Sequence, residues 1–192
     1  MIDIKINDRE ILDNLHRLAG LMRDMRPVMT DIGEYMIEAT KRRFAEGKGP
    51  DGRRWAGNRP VTLQEYLRRK GGATVVRKGE KFQNPYLKKD GSLNKRGATQ
   101  LANKRVLVGE SKRLGNEIHY RADGRSIVVG SSLIYSATQQ FGARRGAFGR
   151  TKRGAPIPWG DIPARPFLGV SDDDRRNILD IIEEHLEAAA GG

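Results

Sequence analysis

The sequence predicts an α+β domain, a small antiparallel sheet packed by three longer helices, with a long basic loop insertion. Three observations predict it. Apolar residues recur at helical spacing in three stretches, around residues 11–22, 28–44 and 178–186. The segment "NEIHYRADGRSIVVGSS" alternates Ile118 and Tyr120 on one arm with Ile127 and Val129 on the other, around Asp123-Gly124, which is the pattern of a hairpin. Between these elements lie segments rich in glycine, proline, arginine and lysine, which punctuate rather than extend regular structure.

Taken in order, Ile2, Ile4 and Ile6 alternate with Asp3 and Lys5, the period of a short strand. Asn7 or Asp8 suits the cap of the helix that follows, whose buried stripe reads Ile11, Leu12, Leu15, Leu18, Ala19 and Met22. Pro27 fits the first turn of a second helix, with Val28, Ile32, Tyr35, Met36, Ala39 and Phe44 facing inward. "AEGKGPDGRRWAGNRP" then reads as a loop of tight turns, tacked down by Trp55. "TLQEYLRRK" reads as a short helix opened by Thr62, with Glu65 completing a capping box. From Gly71 to about Arg105 the chain is polar and basic, with isolated anchors at Val75, Val76, Phe82, Tyr86 and Leu87; so long an excursion is either mobile or ordered by a partner.

"VLVGESKRLG" makes a turn of helix before the hairpin, which places His119 on the face opposite Ile118 and Tyr120. "LIYSATQQFG" is a short helix stopped by Gly142. A second basic loop, at about 143–162, carries Trp159 as its apolar anchor. In "IPARPFLGV" two prolines bracket an apolar run, which reads as a short edge strand over 165–170 with Phe167 in the core, as Phe141 is also expected to be. Ser171 before Asp172, Asp173 and Asp174 opens the last helix, a hydroxyl cap with carboxylates against the positive end of the dipole. No internal repeat or second domain is evident, so residues 1–192 read as one domain with a mobile basic insertion at about 45–105.

Composition narrows the chemistry. The chain has 192 residues and no cysteine, which removes disulfides, cysteine nucleophiles and cysteine-held metals and fits a reducing compartment. His16, His119 and His185 are scattered without metal-ligand spacing, and the three aspartates serve a helix cap better than a cation. No phosphate-binding loop or nucleophile elbow occurs; no cofactor is called for, and the chain does not read as an enzyme. No apolar run reaches the length of a membrane span, and the N-terminus lacks a secretory apolar block, so the chain reads as soluble and non-secreted. Net charge is +12, concentrated in residues 45–168, where 26 basic residues face 9 acidic ones; residues 1–44 balance, and residues 169–192 carry −5. Such an excess suggests a polyanion nearby, or a solvated loop. Zinc-finger, RNA-binding and basic-zipper signatures are all missing, and the interleaved aromatics Trp55, Tyr66, Phe82, Tyr86 and Phe148 are sparse.

The order "GPDGRRW", "YSATQQFG", "IPARPFLG" resembles the phage virion morphogenesis family, the tail completion proteins of Mu-like and related tailed phages, from about residue 30 onward. Val108-Gly109 stands where the family has Thr-Gly, Gln139 stands at a frequent histidine, and 71–105 matches nothing in the pattern. The resemblance implies a structural, non-enzymatic protein that forms a homo-oligomeric ring around the DNA channel. It would act at the head–tail junction or upper tail, after assembly in the host cytoplasm, against connector, tail terminator or tail tube proteins. Under that reading, candidate subunit or neighbour contacts are Arg53, Arg54, Trp55, Gln139, Gln140, Arg144, Arg145, Trp159 and Arg165. Candidate basic residues facing DNA or a partner are Arg77, Lys78, Lys81, Lys88, Lys89, Lys95 and Arg96. For Arg165 the alternative is an ion pair inside its own subunit. For the whole chain the alternative is a small, basic, non-specific nucleic-acid-binding protein.

Overall fold

In the computed structural model the described residues are 9–71, 84–88, 92–109 and 113–191. The expected N-terminal strand, its helix cap, and the anchors Val75, Val76 and Phe82 lie outside them. The order of elements is α1 (Arg9–Arg23), α2 (Arg26–Glu46), α3 (Pro60–Lys70), α4 (Lys95–Ala102), α5 (Arg113–Asn116), β1 (Ile118–Ala122), β2 (Ile127–Ser131), α6 (Ser136–Phe141) and α7 (Asp172–Gly191).

Helix α2 organises the rest. Pro27 sits in its first turn, where the missing N–H is no loss, and Gly47 ends it in the left-handed conformation. Its buried side is Val28, Ile32, Met36, Ala39 and Phe44, as the spacing predicts, with Thr40 and Arg43 added. The hairpin of β1 and β2 lies across this side, with Ile118 opposite Ser131, Tyr120 opposite Val129 and Ala122 opposite Ile127. Gly33 lets the two layers meet: a Cβ there would fall 2.4 Å from the Tyr120 ring. Helix α7 packs on α2 from another side through Ile178, Ile181 and Ile182, and α1 packs on α7. Two clusters result, one around Val28, Ile32 and Met36, the other around Phe44, Trp55, Leu114, Ile118 and Phe167, and Val129 touches both.

Several expectations are corrected. The sheet has two strands among the described residues, and residues 165–170 form no strand. The hairpin turn spans 123–126, closed by the Asp123 carboxylate, which accepts from the Arg125 and Ser126 amides at 2.8 and 2.7 Å. Helix α3 begins at Pro60 after Arg59 rather than at Thr62, and Glu65 pairs with Arg68 and Arg69 instead of closing a capping box. Those two arginines hold the Glu65 carboxyl down at about 2. The basic insertion contains α4, capped by Asn94, whose side chain accepts from the Gly97 amide. On α1, Ala19 and Met22 are exposed, so its inward stripe is narrower than the apolar pattern.

Candidate functional site

The three sequence stretches quoted above meet in space, around the chain from Pro163 to Gly169. Pro163 and Pro166 have no N–H to give, which is why this strap joins no sheet. Side chains fasten it instead. The Trp55 indole Nε1 donates to the Pro166 carbonyl at 2.7 Å. Gln140 Oε1 accepts from the Phe167 and Leu168 amides at 2.9 and 3.0 Å, while its Nε2 donates to the Leu168 carbonyl at 2.8 Å. Arg43 Nη1 donates to the Phe167 carbonyl at 3.0 Å. The Arg165 amide donates to the Gln139 carbonyl at 2.7 Å. With its backbone satisfied in this way, Phe167 is fully buried, its ring 5.3 Å from that of Phe44, which meets Trp55 edge-on at the same distance.

Arg165 is buried and, among the described residues, pairs with backbone carbonyls and a glutamine rather than with a carboxylate. Its Nε and Nη2 donate to the Ala56 and Gly57 carbonyls at 2.8 and 3.0 Å, and Nη1 donates to Gln139 Oε1 at 3.3 Å. Burial holds its pKa below that of a free arginine. The guanidinium thus ties the loop after Trp55 to the strap and to α6. Phe141, expected in the core, is 78% exposed, because the strap occupies the inner side of α6 through Gln139 and Gln140.

Behind the strap lies an ion pair that sequence reasoning missed: Arg43 on α2 with Asp174 on α7, both buried. Asp174 also accepts from the Ser171 amide and hydroxyl, each at 2.7 Å, and from the Tyr35 hydroxyl at 3.0 Å. Burial works against its ionisation, but the Ser171 bonds, the Tyr35 bond and Arg43 together hold its carboxyl below the usual range. The reciprocal bond from the Asp174 amide to Ser171 Oγ makes Ser171 and Asp174 a capping box. The Ser-x-x-Asp spacing was the available signal. An arginine on the buried stripe of α2 was the second.

The remaining candidates sit on the outside. Arg53 and Arg54 are exposed on the turn before Trp55. Residues 143–162 form an arm rather than an open loop: Ala143 and Ile162 exchange backbone bonds of 2.9 and 2.7 Å at its base, and Phe148 and Ile157 pair further out. The Arg145 amide donates to Asp161 at 2.7 Å, and Arg150 caps the tip through the Gly154 carbonyl. Trp159 does not anchor this arm; it stands 78% exposed, with Phe148 and the side chains of Arg144 and Arg145 also in solvent. Next to the arm, Ile134 and Tyr135 are exposed before α6. Lys88, Lys95 and Arg96 are exposed around the start of α4, whereas Arg77, Lys78, Lys81 and Lys89 lie outside the described residues.

Between α3, the 104–109 segment and the strap is an open cleft of about 460 Å³. Arg59, Lys104, Arg105 and Arg113 border it, with Asp161 the one carboxylate among the described residues of its lining and Tyr66 and Tyr135 as aromatic walls. Lys104 lies 4.7 Å over the Tyr66 ring. Such a cleft can hold an anionic group, a phosphate or a carboxylate. The described residues contain no cluster of metal-ligating side chains.

The phage virion morphogenesis family matches residues 6–116 and 79–187, more than half of the chain, and its first match begins well before residue 30. The chain belongs to the phage virion morphogenesis family. It is also 24% identical, over 97% of both chains, to "Mu-like prophage FluMu G protein 2" of Haemophilus influenzae. No solved structure matches it. A role in building the phage virion follows from membership. Within the described residues no helix is long and apolar enough to cross a membrane.

Proposed function

We propose that this family member completes the tail and joins it to the head, as a non-enzymatic ring subunit around the DNA channel at the head–tail junction or upper tail. The observation that carries the reading is the contrast between a fastened interior and an unpartnered exterior. The strap is bound by Trp55, Gln140, Arg43 and Gln139, while Phe148 and Trp159 on the arm, Phe141 on α6 and Ile134 just before it stand in solvent. Large apolar side chains grouped on a hydrogen-bonded arm are characteristic of surfaces that assembly covers. Further copies of this chain and connector, tail terminator or tail tube proteins are the partners such a joint meets. The basic cleft and the exposed Lys88, Lys95 and Arg96 suit either their acidic surfaces or genomic DNA in the channel.

The test is complementation in an extract. Purified protein is added to an extract of cells infected by a phage that lacks the gene. Infectious particles form on addition if the protein joins finished heads to finished tails. No particles form if it acts earlier, within head or tail construction.

A further inference from the structure

Two exposed surfaces of this chain complement each other in charge and in apolar content. The first is the arm at 143–162, with Phe148 and Trp159 exposed among Arg144, Arg145, Arg150, Lys152 and Arg153, against one carboxylate, Asp161. The second is the outer face of α7. Leu179, 64% exposed, and Leu186 stand seven residues apart on one stripe, with Glu183 between them and Asp180 and Glu187 alongside. Helix α7 carries seven acidic residues and two arginines, and of the seven only Asp174 is buried. The arm and α7 are joined by the strap, whose backbone is bound to Trp55, Gln140, Arg43 and Gln139.

We propose that the arm of one subunit docks on the outer face of α7 of a second copy of this chain, and so sets the head-to-tail contact of the ring. This rests on the ring reading above. Trp159 and Phe148 cover Leu179 and Leu186, and the arginines and lysine of the arm face Asp180, Glu183 and Glu187. Because the two patches differ, the contact is heterologous; it propagates from subunit to subunit and closes when the rotation permits. The opposite charges fix the register of the arm on the helix and exclude arm-to-arm pairing.

The test is a charge exchange, read in a phage that lacks the gene and is supplied with the protein by its host. One variant carries Arg144→Glu, Lys152→Glu and Arg153→Glu; the other carries Asp180→Lys, Glu183→Lys and Glu187→Lys. All six residues are exposed, so both variants keep the thermal midpoint of the parent. Each alone lowers the plaque yield by about a hundredfold, because like charges then face each other. Supplied together they restore it to within about tenfold of the parent, since the acidic arm of one meets the basic helix of the other and the reverse. Trp159→Ala, at a position 78% exposed in its own subunit, lowers the yield with an unchanged midpoint. Full activity of each variant alone, or a mixture no better than its parts, overturns the contact. Formaldehyde treatment of parent particles separates this failure from that of the ring. Multimers of the protein, alongside a failed exchange, keep the ring and remove the arm contact; monomer alone removes both.

Discussion

Gln140 makes three hydrogen bonds to the strap, and two of its partners are the backbone amides of Phe167 and Leu168. Gln140→Leu leaves the Phe167 and Leu168 amides unsatisfied in the interior and is expected to cost about 2–5 kcal/mol. Gln140→Glu keeps the acceptor and should cost less. Denaturant unfolding of the two variants checks the order. Trp55→Phe removes the indole bond to Pro166 and leaves a small void, and should cost about 1–3 kcal/mol, while Trp55→Ala empties the whole ring space and should cost about 3–5 kcal/mol. Asp174 gives the pH dependence. Its carboxyl titrates lower in the folded chain than in the unfolded one, so its contribution is present above about pH 4 and is lost as pH falls through the lower folded value. Asp174→Asn should therefore flatten the fall in stability below about pH 4 and lower stability at neutral pH. Of these residues the sequence marked Trp55, Gln139, Gln140 and Arg165 by their place in recurring stretches, without their roles. A glutamine that binds two amides from 27 and 28 residues away leaves no local periodicity to read.

At the scale of elements, the amphipathic helices and the hairpin were legible because their periods state which face is buried, and α2, β1 and β2 follow those periods closely; on α7 the expected stripe is only half right, since Ile178, Ile181 and Ile182 pack inward while Leu179 and Leu186 stand exposed. The strap was not legible as a strap. An apolar Phe-Leu-Gly-Val run behind a proline satisfies the composition of a strand, and only the side chains that replace its ladder show that it is something else. Phe141 and Trp159 mislead for a related reason, since size and apolarity alone predict burial and both stand in solvent. Gly142 holds the junction of α6 and the arm at φ +75°, and a Cβ there would lie 2.7 Å from the Ile162 carbonyl and 2.8 Å from the Ala164 amide. Gly142→Ala should therefore displace the arm base and lower the thermal midpoint by several degrees. Proteolysis within 143–162 should rise in that variant, and unchanged cleavage would mean that the arm is held by other bonds.

For the molecule as a whole, the division is between what folds the subunit and what the subunit presents. The buried ion pair, the strap and the two apolar clusters fix α2, α7 and the hairpin relative to one another. The net charge of +12 and the exposed arm belong to the exterior, where they cost folding little and set association. Removing the arm tip, residues 147–157, should leave the unfolding midpoint near that of the parent while abolishing plaque formation. Charge and loop content announced this exterior in the sequence, but only the folded chain shows that the arm is hydrogen-bonded along its length and that its aromatics point outward. The most direct test of the joining role is electron microscopy of a lysate from a phage lacking this gene. Filled heads beside separate tails of normal length are the predicted result; normally joined virions would contradict it.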